Sequence, residues 1–150
     1  MSELSPVLIL DAGGHTPTAL ELIYDIVLAI TPGAVPAVDV CLAYRPDGTG
    51  LTRFIEEAPG TTQRTMGKAI ALETPIINIT VRGNPTDYQT PKDEAQRLRY
   101  RIAAYGEFTS RGLRMLNADP QGTINPLGRD LQNREAFQIS FAVVTEPSYT

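Results

Sequence analysis

Two stretches of the sequence alternate between apolar and polar residues, and this pattern constrains the fold more than any other feature of the chain. Residues 77–82 read Ile-Asn-Ile-Thr-Val-Arg, and residues 137–143 read Phe-Gln-Ile-Ser-Phe-Ala-Val. Successive side chains of a β-strand point to opposite faces of the sheet, so this alternation is typical of strands with one buried and one wet face. We therefore expect a β-sheet that is covered on one side.

Helical periodicity occurs in two further segments, which are candidates for the covering layer. Either Thr16-Pro17 or Thr18 with Glu21 offers a helix start, apolar side chains then recur every three or four positions up to Ile30, and a Pro-Gly pair ends the pattern. A second helix is expected to begin near Thr90, with an apolar stripe at positions 95, 98, 102 and 105. Three arginines lie mostly off that stripe and are expected on a solvated face: Arg97, Arg99 and Arg101.

The remaining segments predict shorter strands, turns and one long loop. Residues 38–44 are β-like and run into an Arg-Pro-Asp-Gly turn signal, so residues 51–57 are expected to form their hairpin partner. Residues 58–74 contain a Pro-Gly pair and little periodicity, which favours a long mobile loop or arm. Residues 113–118 are expected to form a strand, and residues 125–133 a turn region before the last strand.

These elements predict an α+β fold, in which a single mixed or antiparallel β-sheet has two α-helices packed on one face and a long loop or arm between strands. A chain of 150 residues has the size of one domain. We assign residues 1–14 to an N-terminal arm, residues 15–147 to the domain and residues 148–150 to a C-terminal tail.

Composition and charge argue against several classes of function. The net charge is −4 and no Lys/Arg block occurs, so general nucleic-acid binding through phosphate neutralisation is not expected. No apolar run approaches the roughly 20 residues of a membrane-spanning helix, and the beginning of the chain lacks the pattern of a secretory signal, so we expect an intracellular protein. The single cysteine, Cys41, is expected to be buried, and the single histidine, His15, to lie in a loop.

No motif in the chain predicts catalysis. Gly60 and Gly67 before Lys68 resemble a phosphate-binding loop, but six residues separate the glycines and alanine follows the lysine, so the spacing fails. Glu56 and Glu57 are adjacent in a predicted strand and point to opposite faces, so they cannot act as an acid/base pair. We therefore expect no catalytic, cofactor-binding or metal-binding residues, and the pattern favours assembly over catalysis.

An ordered series of short motifs runs from Thr18 to Pro147. In chain order they are a leading helix, Val38-Asp39-Val40, Arg45-Pro46-Asp47, Glu57-Ala58-Pro59-Gly60, the run at 77–83, a helix with Ala95, Leu127-Gly128-Arg129-Asp130, the turn Leu131-Gln132-Asn133-Arg134 and Ser140-Phe141-Ala142-Val143. In this order they resemble the tail terminators of long-tailed bacteriophages, a family often labelled minor capsid proteins. Asn133 stands where the family usually has glycine, and asparagine is the residue that next best accepts a positive φ.

The resemblance implies a structural protein of the virion rather than an enzyme. Such a protein closes as a ring, expected to be hexameric, on the tail tube, stops tube polymerisation and offers a docking face to the head-completion complex. The implied partners are copies of itself, the tail tube protein and the head-completion or connector protein. Genome DNA would pass through the lumen without specific binding, and assembly would take place in the host cytoplasm.

Candidate assembly contacts are charged residues in two segments. Arg129, Asp130 and Arg134 belong to the turn before the last strand, and Arg64 and Lys68 to the expected arm. An Arg–Asp pair across the turn could instead brace the hairpin without any partner. Alternative functions are another head–tail connector component, a small enzyme or nucleotide-binding protein, and a monomeric adaptor.

Overall fold

The structure is a mixed seven-stranded sheet with two helices, known from a computed structural model. It describes residues 18–43, 45, 50–64 and 70–147, and of residues 59–64, 70–73 and 147 only the backbone. The elements in chain order are α1 (Ala19–Ala29), β1 (Val40–Leu42), β2 (Thr52–Arg64), β3 (Ile70–Pro85), α2 (Gln89–Ala103), β4 (Phe108–Ser110), β5 (Leu113–Pro120), β6 (Asn125–Arg129) and β7 (Arg134–Pro147). The predicted arm at 1–14, His15, Lys68 and the tail at 148–150 lie outside the described residues.

The strands follow the order β1-β2-β3-β7-β5-β4, and β6 also pairs with β7. One side of β7 pairs with β3, while its other side is shared by β6 along the first half and β5 along the second half. Every pair is antiparallel except β1 with β2, which is parallel. The predicted α+β class with a single mixed sheet is therefore confirmed.

The core lies between the helices and one face of the sheet, which we call the helix face. Ile55, Ile79 and Ile139 are aligned across β2, β3 and β7, and each is at most 1% exposed. Both helices pack on this face. The alternation is confirmed on the core side, where the odd-numbered residues of both runs are buried: Ile77, Ile79, Val81, Phe137, Ile139, Phe141 and Val143. The wet face predicted for the even-numbered residues is wrong at Thr80 and Arg82, which are buried as well.

Both predicted helices are present with nearly the expected bounds. At the start of α1 the Glu21 carboxylate accepts a hydrogen bond from the backbone N–H of Thr18 at 3.0 Å, as the capping pattern predicts. In α2 the predicted stripe is fully buried at Ala95, Leu98 and Ile102. Cys41 is buried as expected, and burial raises the pKa of its thiol.

The predicted hairpin between residues 38–44 and 51–57 is wrong, because β1 runs parallel to β2. Val40 pairs with Arg53 and Leu42 with Ile55 in the same direction. After β1, Ala43 adopts a positive φ of 54° and donates its N–H to the Ile55 carbonyl, so the chain turns away before the expected reversal. Residues 46–49, which include most of the Arg-Pro-Asp-Gly signal, lie outside the described residues.

The loop predicted for residues 58–74 is also wrong, because most of this segment continues β2 and β3. The two strands pair from Thr52 with Arg82 out to Arg64 with Ile70. The Pro-Gly pair at 59–60 lies at a register shift, where a strand tolerates a proline that cannot donate a ladder hydrogen bond. The threonines and isoleucines around it are β-branched and favour extended structure.

Two short strands were missed. Residues 125–129, expected as turn, form β6, and a register shift at Gly128, with φ 84°, allows the strand to bulge. Strand β4 joins β5 through Arg111 and Gly112, whose φ values of 56° and 79° are those of a type I′ hairpin turn. Only the glycine of that dipeptide matches the usual Asn-Gly signal, so the hairpin was not predicted.

A buried ion-pair network fastens α2 to the sheet. Arg53 lies on the helix face, and its Nε donates to Glu94 Oε2 at 2.6 Å, with both side chains at most 10% exposed. Arg97 donates to the same carboxylate and to the Ile30 carbonyl at the end of α1. The solvated face predicted for the arginines of α2 is therefore wrong at Arg97, whereas Arg99 donates to the Gly122 carbonyl in an exposed hydrogen bond.

The network predicts an acid-sensitive contribution to stability. Burial alone would raise the pKa of Glu94, but hydrogen bonds and charge from Arg97 and Arg53 outweigh it and hold the pKa below its ordinary value. A carboxyl group whose pKa is lower in the folded than in the unfolded chain stabilises the fold at pH values above its unfolded pKa, which is 4.5 for Glu94. This contribution to the free energy of unfolding is lost as the pH falls through the pKa of the folded state.

Replacing Glu94 by glutamine should lower the free energy of unfolding at pH 7 by about 3 kcal/mol, because Arg53 stays buried without its counter-charge. Urea denaturation at pH 7 and at pH 3 measures the effect, and the difference from the wild type should shrink at pH 3, because a carboxyl with a lowered pKa stabilises the fold less as the pH falls below its unfolded pKa. The exposed Arg101→Gln change on the same helix serves as control. An equal loss at both pH values would contradict the ion-pair account.

Candidate interaction face

The face of the sheet opposite the helices, which we call the polar face, carries the aromatic side chain of Phe54. Phe54 points to this face together with its neighbours Thr80 and Arg82, and it is only 1% exposed. Two guanidinium groups cover its ring, with the Arg82 Cζ 4.8 Å and the Arg45 Cζ 5.4 Å from the ring centroid. The polar face therefore hides its aromatic residue beneath arginines, a cation–π arrangement, instead of beneath a helix.

Four arginines surround a pocket of about 210 Å³ on the polar face. We call it the arginine pocket and define it by Arg45, Arg82, Arg129 and Arg134. Its apolar lining comes from Phe54, Leu127 and Ala136, and its acidic lining from Asp130. Strands β2, β3, β6 and β7 and the turn before β7 all contribute, so the pocket depends on the pairing of the central sheet.

Neighbouring carboxylates hold three of these arginines in place. Arg45 binds Glu56 through two nitrogens, and Arg129 Nε donates to Glu135 Oε2 at 2.5 Å. Arg134 Nε donates to Asp130 Oδ2 at 2.7 Å. Charge-assisted hydrogen bonds of this kind fix the direction of each guanidinium group.

The turn between β6 and β7 is organised by Asp130. Its carboxylate accepts hydrogen bonds from the backbone N–H of Arg134 at 3.0 Å and of Gln132 at 2.9 Å. These bonds, with the Arg134 guanidinium, hold the pKa of Asp130 below its ordinary value. Asn133 closes the turn with φ 61°, which confirms the positive φ that the sequence predicts there.

Two leucines beside the pocket are exposed. Leu131, at the tip of the turn, is fully exposed, and Leu127 of β6 is 46% exposed. A tight turn supplies its own hydrogen bonds and needs no leucine side chain at its tip. Together with Arg129, whose side chain is 60% exposed, these leucines make the turn an apolar and basic protrusion suited to contact with another protein.

The sheet also presents open strand edges. Strand β1 pairs with β2 only as far as Ile55, so the outer part of β2, from Glu57 to Arg64, has no second neighbouring strand among the described residues. Strand β6 likewise pairs only with β7 in the described part of the chain. Unpaired N–H and C=O groups on such edges can accept a strand from another subunit.

The predicted assembly residues separate into two groups. Arg129, Asp130 and Arg134 come together at the arginine pocket. Arg134 is only 6% exposed and braces the turn through Asp130, so it stabilises the hairpin from inside rather than offering an exposed contact. Arg64 lies ten residues along β2 from Phe54, roughly 30 Å away along the strand, and Lys68 lies outside the described residues.

Sequence reasoning missed the aromatic floor of the pocket and two of its arginines. Phe54 follows Arg53 in a run without alternation, so nothing in the sequence indicates that the arginine points to the core and the phenylalanine away from it. The sequence did indicate the position of Arg82. This arginine occupies an even position of the alternating run, and even positions of that run point away from the core.

Comparison of the sequence with protein-family models and with curated proteins finds no match in either case. Among the described residues, no helix is long and apolar enough to cross a membrane. The same part of the chain contains no group of three or more His, Cys, Asp or Glu side chains that could hold a metal ion.

The positive φ of Asn133 gives a direct test of the turn. Asn133→Val should lower the free energy of unfolding by about 1–2 kcal/mol, because a β-branched residue tolerates a positive φ poorly. Asn133→Gly, the matched control, should leave stability unchanged or slightly raised, since glycine adopts this conformation without strain. Thermal unfolding measures both variants, and a valine variant as stable as the glycine variant would contradict the turn geometry.

Proposed function

We propose that this chain is a structural protein of the virion: a phage tail terminator that closes as a ring on the tail tube. The ring, expected to be hexameric, stops tube polymerisation and presents a docking surface to the head-completion complex. The proposal rests on the ordered motifs that resemble this family and on one structural observation. The open edge of the outer part of β2 and the exposed apolar and basic turn between β6 and β7 lie at opposite ends of the sheet.

A closed ring needs heterologous contacts, in which one surface of a subunit meets a different surface of its neighbour. The outer part of β2 and the turn between β6 and β7 are two such different surfaces. Strand β3 starts beside the outer part of β2 and ends at Pro85, which pairs with Arg134 at the beginning of β7. The two surfaces therefore lie at opposite ends of the same strands, as a head-to-tail arrangement requires.

The net charge of −4 supports the same proposal, because genome DNA must pass through the lumen of the ring. A net-negative protein lining repels the phosphate backbone and does not retain the DNA. The tail tube protein and the head-completion protein are the further partners of the proposed ring.

Deletion of the gene from the phage tests the role. We expect tails of uncontrolled length and heads that lack tails, seen by electron microscopy of infected-cell lysates. Tails of normal length beside heads that leak DNA would assign the protein to head completion instead. Turnover of a nucleotide or another small molecule by the purified protein would favour an enzyme and contradict the proposal.

The exposed turn leucine gives a sharper test. Leu131→Glu should leave the melting temperature nearly unchanged, because the side chain is fully exposed, but should abolish control of tail length by removing an apolar contact. Tyr100→Glu, at a side chain of α2 that is 61% exposed, is the matched control and should retain normal tails. Normal tail lengths with Leu131→Glu would remove the turn from the assembly surface.

A further inference from the structure

Helix α1 lacks the solvated face that is usual for a helix packed on one side of a sheet. In this helix, all of which the structure describes, Ala29 is the only exposed residue. The side toward the sheet consists of residues that are each at most 5% exposed: Ala19, Leu22, Ile23, Ile26 and Val27. A helix that is apolar on more than one side is normally covered on more than one side.

The outer side of α1 divides into two strips. Glu21 and Asp25 form the acidic strip, and Arg111 of the turn between β4 and β5 lies on it, with Nη1 3.3 Å from Glu21 Oε2 and Nη2 3.0 Å from Asp25 Oδ1. The other strip, which we call the α1 strip, consists of three partly exposed apolar residues spaced four apart: Leu20, Tyr24 and Leu28. The α1 strip is therefore an apolar surface that the sheet does not cover.

The chain before α1 contains an apolar run that the sheet and the helices do not account for. Residues 7–10 read Val-Leu-Ile-Leu and lie outside the described residues. Four consecutive large aliphatic side chains are unfavourable in water, so a run of this kind is normally buried against another apolar surface.

The length of the connecting chain allows the run to reach the α1 strip. Leu10 and Thr18, the residue before α1, are eight residues apart, and an extended chain covers about 3.3 Å per residue, so the connection spans up to about 26 Å. The 11 residues of α1 give a helix about 16 Å long. Gly13 and Gly14 lie in the connection, and glycine adopts the backbone conformations that a reversal of the chain requires.

We infer that the α1 strip is the docking site for the apolar run at residues 7–10 of the same chain. The run packs on Tyr24 and the two leucines, so that α1 lies between the sheet and the N-terminal segment. The inference goes beyond the proposed function, because it concerns burial within one chain and holds whether or not the protein closes a ring. The alternative occupants are a second copy of the chain and a different protein.

A double-mutant cycle tests the contact in the full-length chain. Leu8→Ser and Tyr24→Ala should each lower the melting temperature by about 4 °C, because each removes buried apolar surface. The double variant should lose clearly less than the sum, since either substitution already breaks the contact. Leu4→Ser, outside the run, is the matched control and should combine additively with Tyr24→Ala. Additive losses for Leu8→Ser with Tyr24→Ala would contradict the contact.

Methyl NMR provides a readout that leaves the α1 strip unaltered. In full-length protein with labelled leucine methyl groups, Leu8→Ser should shift the signals of Leu20 and Leu28, while that of Leu131, at the tip of the distant turn, stays in place. Signals of Leu20 and Leu28 that move no more than that of Leu131 would exclude the run as the cover of the strip and leave the strip to a different protein.

Cysteine cross-linking identifies the chain that supplies the run. With Cys41 replaced by alanine, the pair Leu8→Cys and Tyr24→Cys should form a disulfide at low protein concentration, and the product should have the mass of one chain. The pair Leu8→Cys and Tyr100→Cys, at an exposed position of α2, is the control and should stay reduced. A product of two chains would overturn the inference in favour of a second copy, and a folded protein without any cross-link would overturn it altogether.

Discussion

The register between β2, β3 and β7 determines which side chains enter the core and which lie on the polar face. With Ile55, Ile79 and Ile139 in line, Ile77 and Val81 of β3 and Val143 of β7 also lie in the core under the helices. A shift of one residue would turn these isoleucines toward solvent and place Thr80 and Gln138 in the core. The same register brings Phe54 beside Arg82 on the polar face, so the arginine pocket exists only where the core is correctly aligned.

Two adjacent residues of β2 reverse the usual distribution of charge and apolar surface. Arg53 points into the apolar layer, where Glu94 compensates its charge, and Phe54 points to the polar face, where Arg45 and Arg82 cover it. Both placements cost free energy of folding. Burial of the Arg53–Glu94 ion pair requires desolvation of both charges, and an aromatic ring outside the core has fewer apolar neighbours. The first fastens α2 to the sheet, and the second shields Phe54 from water with guanidinium groups.

The fold class was predictable because its main signals are periodic. Alternation at 77–82 and 137–143 fixed two central strands, and the stripes of α1 and α2 fixed the covering layer. The direction of β1 was not predictable, because alternation is the same in parallel and antiparallel pairs, and the positive φ values that flank β1 occur at Ala37 and Ala43 rather than at glycine or asparagine. The outer parts of β2 and β3 were missed because Pro59-Gly60 is typical of loops, although an open edge with a bulge tolerates both residues.

Only some residues of the arginine pocket could be predicted from the sequence, because the others depend on strand pairing. Arg129, Asp130 and Arg134 are close in sequence, so a local motif indicates them, whereas Arg45, Phe54 and Arg82 join them only through strand pairing. This difference bears on how a ring could form. Along β3, the open edge of β2 begins about 25 Å from the turn at Asn133, at Glu57, and ends about 50 Å from it, at Arg64. Two distant and different surfaces of one chain cannot bind each other, so each can contact a neighbouring subunit instead. Repeated contacts of this kind close a ring when the rotation between adjacent subunits is a whole fraction of a full turn.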